Sequence, residues 1–194
     1  IIATTLFLIA TGLLYGILGT LNMADIAIKA RGAGTDGPLM TVAVLYFLAF
    51  AMKAAAFPVN FWLPASYHTP PAAISALFAG LLTKVCVYAM LRALVVVLPA
   101  SRDMLEPVLA CIAIGTLLIA PLGAIAETNL RRAIGFVVIG GIGAVMVGLA
   151  MPSLNGVAVS GLYIFHAILT MTALYMVAGL IEKTTGQSDT RYMG

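Results

Sequence analysis

Two lysines stand inside long uncharged stretches of this chain, where a side-chain amine could take part in proton transfer. Lys53 lies between the uncharged residues 39–52 and 54–65, and Lys84 is the only charge in residues 71–91. A lysine at the centre of a membrane helix costs at least ~2.5 kcal/mol and is usually functional where it occurs. Because an apolar environment disfavours the charged form, a buried lysine can lose and regain a proton. We therefore predict that both amines belong to a proton relay, with lysines bound only to backbone carbonyls as the alternative.

Two prolines, Pro58 and Pro64, follow Lys53 within the same apolar segment. Proline lacks a backbone donor and clashes with the preceding helical turn. In a bilayer such a break survives only where protein or a water-filled cavity satisfies the freed backbone groups. Broken helices near the midplane recur at the ion sites of transporters. The pattern predicts a discontinuous helix beside Lys53, and a simple proline kink is the alternative.

Two histidines are further candidates for the relay. His68 lies in the turn between the two lysine segments, and His166 lies inside the last apolar segment. Histidine can change its charge near neutral pH, so either ring could pass on a proton, or it could simply pack between helices. Four hydroxyl side chains are candidates for holding ordered water near these groups: Ser75, Thr83, Tyr88 and Tyr163.

No acidic residue lies inside an apolar run. The two lysines are therefore either largely neutral or paired with acids from other segments or subunits. The sequence has no glycine-rich phosphate loop, no nucleophile beside a base and no ligand cluster for a metal or haem. We therefore expect neither a cofactor nor a metal, and we expect a protein that is not an enzyme.

The composition indicates an integral membrane protein. The chain is 62% hydrophobic and 9% charged, whereas a soluble domain carries about 25% charged residues. A net charge of +3 is too small to indicate nucleic-acid binding. Six segments reach the ~20 residues that a membrane helix needs: residues 1–24, 39–65, 71–99, 107–126, 133–154 and 157–181. Short polar connections separate them: residues 25–37, 66–70, 101–106, 127–132 and 153–156.

Small residues at four-residue spacing predict close helix packing within this all-α fold. Ala76, Gly80 and Lys84 share one helical face, which would point Lys84 into the bundle. The same spacing recurs in a second set: Gly140, Ala144 and Gly148. The chain begins at Ile1 inside an apolar run without a basic region or cleavage site, so we expect an internal piece of a longer protein.

The block from Lys53 to Val85, KAAAFPVNFWLPASYHTPPAAISALFAGLLTKV, resembles the antiporter-like subunits shared by multisubunit Na⁺/H⁺ (Mrp-type) antiporters and respiratory complex I. The stretch LFAGLLTKVCVYAMLR is most similar to the D subunit of Mrp-type antiporters. Further similarity to the family lies in residues 15–27, 127–143 and 165–182.

This resemblance implies the sixth to eleventh helices of a bundle of roughly fourteen, built from inverted repeats. Residues 1–99 would be the three C-terminal helices of the first repeat, and residues 107–194 the three N-terminal helices of the second. Lys53 matches the lysine of the broken seventh helix, and Lys84 matches that of the eighth. The partner glutamate would precede this segment and a further lysine would follow it. Met171 stands where the family often has a lysine, which leaves His166 as the nearest titratable group.

The resemblance implies a proton-conducting subunit of a multisubunit Na⁺/H⁺ antiporter, in which H⁺ moves through a lysine–water relay coupled to cation export. The subunit would work with other membrane subunits, as a multi-pass protein of a prokaryotic plasma membrane. One alternative is a proton-pumping subunit of a complex I-type or membrane-hydrogenase-type enzyme. A second is a structural remnant that packs against other subunits and conducts nothing.

Overall fold

The computed structural model describes residues 1–33, 37–151 and 153–192, and every element longer than an isolated bridge in this part is helical. The α-helices are α1 (Ile2–Leu18), α2 (Met23–Ala33), α3 (Gly37–Ala54), α4 (Trp62–Tyr67), α5 (Ala72–Leu77), α6 (Thr83–Leu91), α7 (Pro99–Ala126), α8 (Leu130–Ala150) and α9 (Leu154–Thr185). Two π-helices, Phe78–Leu82 and Arg92–Val97, join the helices around them, and a short 3₁₀ turn, Thr190–Tyr192, follows α9.

The described helices provide five spans long and apolar enough to cross a membrane, or up to six if the bent pair α1 and α2 counts as one. The all-α membrane fold predicted from composition is therefore confirmed. The predicted end of the first segment, at residue 24, is wrong, because α1 stops at Leu18 and Gly19 takes a left-handed φ of 69°. Most of the expected connection 25–37 belongs to α2, which is bent by 65° from α1. Residues 34–36 of that connection lie outside the described residues.

The predicted discontinuity beside Lys53 is confirmed. The N–H groups of Ala55 and Ala56 donate to the carbonyls of Met52 (3.3 Å) and Ala51 (2.9 Å), and Ala55 has φ 63°. This is a Schellman ending, in which a left-handed residue terminates the helix and satisfies its last carbonyls. Regular structure resumes only at Trp62, so residues 55–61 form the break.

The two prolines of this segment have different positions. Pro58 lies inside the break, after a cis Phe57–Pro58 peptide bond. Pro64, which we expected in the break as well, lies instead in the first turn of α4. The first four N–H groups of a helix have no intrahelical partner, so a proline there removes no helical hydrogen bond. Its assignment to the break is therefore wrong.

Three later helices begin before their predicted positions. The predicted connection 101–106 forms the first turns of α7, whose first residue, Pro99, has the φ that a helix start requires. The side chains of Asn129 and Ser153 each accept a hydrogen bond from the backbone N–H three residues ahead, at 3.1 Å. These N-caps start α8 at residue 130 and α9 at residue 154.

Small residues let the long helices approach closely, as the spacing predicted. The most buried of these helices is α8, with buried residues on successive turns. A Cβ at Gly140 would lie 3.2 Å from the Cβ of Ala120 on α7. A Cβ at Gly148 would overlap the hydroxyl of Ser160 on α9.

Candidate functional site

Lys84 lies inside the bundle, on the helical span Ala72–Val97, with only 4% of its surface exposed. Its Nζ donates a hydrogen bond to the carbonyl oxygen of Ala79 at 3.0 Å and another to Oγ1 of Thr83 at 3.4 Å. The π-helix Phe78–Leu82 ends directly before Thr83. Such π-helical turns are rare and are frequent at functional sites. The expectation that the small-residue face points Lys84 inward is confirmed.

A second hydroxyl reaches the same π-helix from the neighbouring helix α4. Tyr67, which is buried, donates from its hydroxyl to the carbonyl oxygen of Phe78 at 3.4 Å. Ser75 is also buried and donates to the carbonyl oxygen of Tyr67 at 2.6 Å. Hydroxyls of Tyr67 and Thr83 thus donate to two successive carbonyls, those of Phe78 and Ala79, in the π-helix that leads to Lys84.

Lys53 is the second-to-last residue of α3 and lines a cleft. The cleft has a volume of about 1010 Å³. Its lining is mostly apolar and comes from the start of α1, the end of α3, the break, the start of α4 and the span that carries Lys84: Ile1, Ile2, Ala3, Thr4, Met52, Lys53, Val59, Trp62, Leu81, Leu82, Val85 and Cys86. Lys53 is exposed and lines this cleft, whereas Lys84 is buried and does not line it. The cleft thus joins Lys53 to the helix of Lys84, and a common hydrated path between the amines stays a prediction.

Side chains from other helices hold the break in place. The indole Nε1 of Trp62 donates to the carbonyl oxygen of Met52 at 3.1 Å. The N–H of Phe57 donates to Oγ1 of Thr116 on α7 at 3.0 Å. A Cβ at Gly115 would lie 2.9 Å from the Phe57 ring, so the glycine makes room for the break. The carbonyl of Met52 and the N–H of Phe57, at either side of the helix end, therefore have protein partners, as a membrane interior requires.

None of the ion pairs of the described residues includes Lys53 or Lys84. These pairs are Lys29–Asp25, Arg102–Asp103, Arg131–Glu182, Arg132–Glu127 and Arg191–Asp189. Within the same residues, no group of histidine, cysteine and acidic side chains could hold a metal ion. The buried amine of Lys84 is thus surrounded by neutral acceptors.

The two histidines lie apart from the lysines' direct contacts. Nδ1 of His68 is 2.9 Å from the carbonyl oxygen of Pro64, at the end of α4. His166 is exposed on α9, with its Nε2 3.4 Å from Oγ1 of Thr170 and its ring against Tyr163. Met171, five residues on, is buried. Neither histidine forms a hydrogen bond to a lysine in the described part, and their place in a relay stays a prediction.

Two features of the site, the π-helix before Lys84 and the hydrogen bond from Trp62 to Met52, have no clear signal in the sequence. The π-helix before Lys84 is not visible in an apolar pattern, since its composition matches an ordinary membrane helix. The indole bond from Trp62 to Met52 connects residues on either side of an irregular segment. The sequence feature that points to this bond is the chain's single tryptophan, Trp62, which lies between Pro58 and Pro64.

Comparisons with known proteins agree with this architecture. A family model described as "NADH:quinone oxidoreductase/Mrp antiporter, TM" matches residues 1–194. The D subunit of the Na⁺/H⁺ antiporter of Alkalihalophilus pseudofirmus is 37% identical over 194 residues, which are 100% of this chain and 39% of that protein. The chain thus spans well under half the length of this relative.

Two solved structures have a similar fold. A chain of the Mrp complex from Dietzia sp. DQ12-45-1b has a TM-score of 0.85 and 31% identity, over 93% of this chain and 33% of that one. A chain of the membrane-bound sulfane sulfur reductase, an archaeal respiratory membrane complex, has a TM-score of 0.90 and 27% identity, over 98% of this chain and 39% of that one. With the family match over its whole length, this multi-pass membrane chain belongs to the antiporter-like family of membrane subunits that NADH:quinone oxidoreductases and Mrp antiporters share.

Proposed function

We propose that this chain is the central part of a proton-conducting subunit of a multisubunit Na⁺/H⁺ antiporter of a prokaryotic plasma membrane. Protons move through a relay of Lys53, Lys84 and water, with His68 and His166 as further members, and this movement is coupled to cation export. The two halves, residues 1–99 and 107–194, belong to two inverted repeats. Other membrane subunits complete the complex.

The observation that carries this proposal is the environment of Lys84. Its amine is buried in the bundle, and its partners are the carbonyl of Ala79 and the hydroxyl of Thr83. A fixed structural cation in so apolar a position would be costly without a carboxylate. An amine that gains and loses a proton needs no permanent counter-ion, and ionisable groups inside membranes are functional by default.

Lys53 is the second lysine of the proposed relay. It lies where α3 ends, and it borders a cleft that is also lined by residues of the span carrying Lys84. Irregular backbone at membrane depth is tolerated where it lines a cavity or is buried in protein. The break therefore supports a role for Lys53 in receiving protons or passing them toward Lys84.

The identity of the relatives favours cation exchange over a redox-driven pump. The relative at 37% identity is named as the D subunit of a Na⁺/H⁺ antiporter, whereas the archaeal respiratory complex is 27% identical. The fold is common to both, with a TM-score of 0.90 for the latter. The second candidate function is thus a proton-pumping subunit of a respiratory or hydrogenase-type complex.

The test is transport by the complete subunit, expressed with its neighbouring subunits in bacteria that lack Na⁺/H⁺ antiporters. Everted vesicles are acidified by respiration, and a fluorescent pH probe reports proton release when Na⁺ is added. We expect Na⁺ to dissipate the pH gradient, and choline to leave it unchanged. Proton uptake that does not depend on Na⁺, requires a redox donor and is absent from vesicles without the complex would favour the pump. An assembled complex without proton movement under either condition would support the structural remnant.

A further inference from the structure

We propose that Thr83 is a positioning residue for Lys84, because its hydroxyl can bind the lysine amine in both of its protonation states. This inference rests on the proposed function, since only a lysine that exchanges protons needs such a partner. The hydroxyl and the amine lie 3.4 Å apart, and both side chains are nearly inaccessible, with 1% of Thr83 and 4% of Lys84 exposed.

Nζ of Lys84, Oγ1 of Thr83 and the carbonyl oxygen of Ala79 are mutually hydrogen-bonded. Nζ of Lys84 donates to the carbonyl oxygen of Ala79 at 3.0 Å, and Oγ1 of Thr83 donates to the same oxygen at 3.4 Å. Nζ also donates to Oγ1 of Thr83. A threonine hydroxyl often binds the carbonyl four residues back in a helix. Here the carbonyl oxygen of Ala79 accepts from the buried amine of Lys84 as well as from the hydroxyl of Thr83.

The two partners of the amine differ in what they can accept and donate. A carbonyl oxygen only accepts hydrogen bonds, so it serves the N–H groups of Lys84 alone. A hydroxyl has one donor hydrogen and two acceptor lone pairs. It accepts from the ammonium form and, after rotating about its C–O bond, donates to the lone pair of the neutral amine.

Thr83 keeps its own proton throughout this cycle. When the ammonium of Lys84 gives one proton to the next member of the relay, the amine retains two N–H bonds and gains a lone pair. The hydroxyl of Thr83 then turns from Ala79 toward that lone pair. When a proton returns to the amine, the hydroxyl turns back. The amine thus stays in one place while its charge changes, since it has a partner in either state.

The variants Thr83→Val and Thr83→Ser test this role in the complete complex. Valine preserves the branched shape and removes the hydroxyl, while serine preserves the hydroxyl. We expect Thr83→Val to lower the rate of Na⁺-driven proton movement about tenfold, the order of effect of one hydrogen bond to a charged group. The Na⁺ concentration for half-maximal rate should stay unchanged, and Thr83→Ser should transport within about twofold of the parent complex.

The matched control is Thr41→Val. Thr41 also donates to the carbonyl four residues back, that of Gly37 at 3.1 Å, but it is exposed on α3. We expect this variant to transport normally. The amount of intact complex on native gels is measured for every variant, so that rates are compared per assembled complex.

Two outcomes with the Thr83 variants would overturn the inference on their own. One is a Thr83→Val variant that transports within twofold of the parent complex, and the other is an equal loss in the valine and serine variants. A parallel Lys84→Ala variant separates the role of Thr83 from the relay itself. If Lys84→Ala is inactive while Thr83→Val is normal, only the role of Thr83 fails. If Lys84→Ala is active, the relay fails and the role of Thr83 fails with it.

Discussion

The side-chain amine of Lys84 lies 3.0 Å from the carbonyl oxygen of Ala79, five residues earlier on the same helix. Ala79 belongs to the π-helix Phe78–Leu82, in which the backbone pattern is also i to i+5. The lysine side chain thus folds back onto the wide turn that precedes it. The helix can thereby hold an amine in the interior of the bundle with acceptors from its own backbone and from Thr83.

The end of α3 predicts an unusual response to glycine. Ala54 and Ala55 are both fully buried, but Ala54 is helical and Ala55 has a left-handed φ of 63°. Ala54→Gly should lower the free energy of unfolding by about 1 kcal/mol, because glycine weakens a helix. Ala55→Gly should cost less or stabilise, because it relieves about 1–2 kcal/mol of backbone strain. Denaturant titrations of the purified subunit in micelles compare the two.

Equal losses in these two variants would contradict the Schellman ending at Ala55. The comparison is matched, since each substitution removes one buried methyl group from adjacent positions. It also tests whether the break beside Lys53 begins where the structure places it.

The contact between the π-helix and α9 requires glycine at position 80. A Cβ there would overlap Oγ1 of Thr172. Gly80→Ala should destabilise the protein by about 1–3 kcal/mol, as overpacking does, and a second change, Thr172→Ala, should recover most of this loss. Gly161→Ala is the control, because nothing lies within 4 Å of a Cβ there. Thermal unfolding in detergent measures all three, and a Gly80→Ala variant as stable as the control would refute the close approach.

The partly buried pair of Arg131 and Glu182 should matter more than the exposed pair at the end of the chain. Nε of Arg131 lies 2.9 Å from Oε1 of Glu182, with 16% of each side chain exposed. The same guanidinium donates to the carbonyl oxygen of Pro70. Arg131→Ala should therefore lower the free energy of unfolding by about 2 kcal/mol, because it leaves a partly buried carboxylate unpaired.

The control for this pair is Arg191→Ala, which breaks the contact with Asp189 in a part of the chain where 66% of the arginine side chain is exposed. Water screens such pairs, so we expect no measurable change in stability. Chemical denaturation of both variants checks the difference. Similar effects for the two arginines would show that burial does not decide the strength of these pairs.

The sequence predicts the helical bundle well because long apolar runs leave a membrane chain few alternatives. It also predicts the break, since Pro58 cannot continue the helix that carries Lys53. The ends of helices are harder to predict. The caps at Asn129 and Ser153 add a turn before the apolar residues begin, and Gly19 ends α1 inside an apolar run.

The candidate site is predictable in its residues and less so in its geometry. Lys53 and Lys84 stand out because charge is expensive in hydrocarbon. The inward orientation of Lys84 follows from the small residues at Ala76 and Gly80, which share its face. Sequence patterns do not reveal the π-helix, because a one-residue change of hydrogen-bond register leaves the composition unaltered. The carbonyl that binds the amine of Lys84, that of Ala79, lies within that π-helix.

Lys53→Ala in the complete complex should abolish Na⁺-driven proton movement while the complex still assembles. Lys53 lies at the cleft and has no carboxylate partner among the described residues, so its removal leaves no acid unpaired there. Vesicle transport rates per assembled complex provide the measurement. A variant that transports at the parent rate would remove Lys53 from the relay.

The most direct test of the relay is the rate of Na⁺-driven proton movement in Lys84→Ala and Lys84→Arg complexes. Both should assemble and neither should transport, because alanine has no amine and the guanidinium of arginine stays charged and cannot cycle. Lys183→Ala is the control, since Lys183 is exposed near the end of α9, and it should transport normally. Near-normal transport by either Lys84 variant would contradict the proton relay.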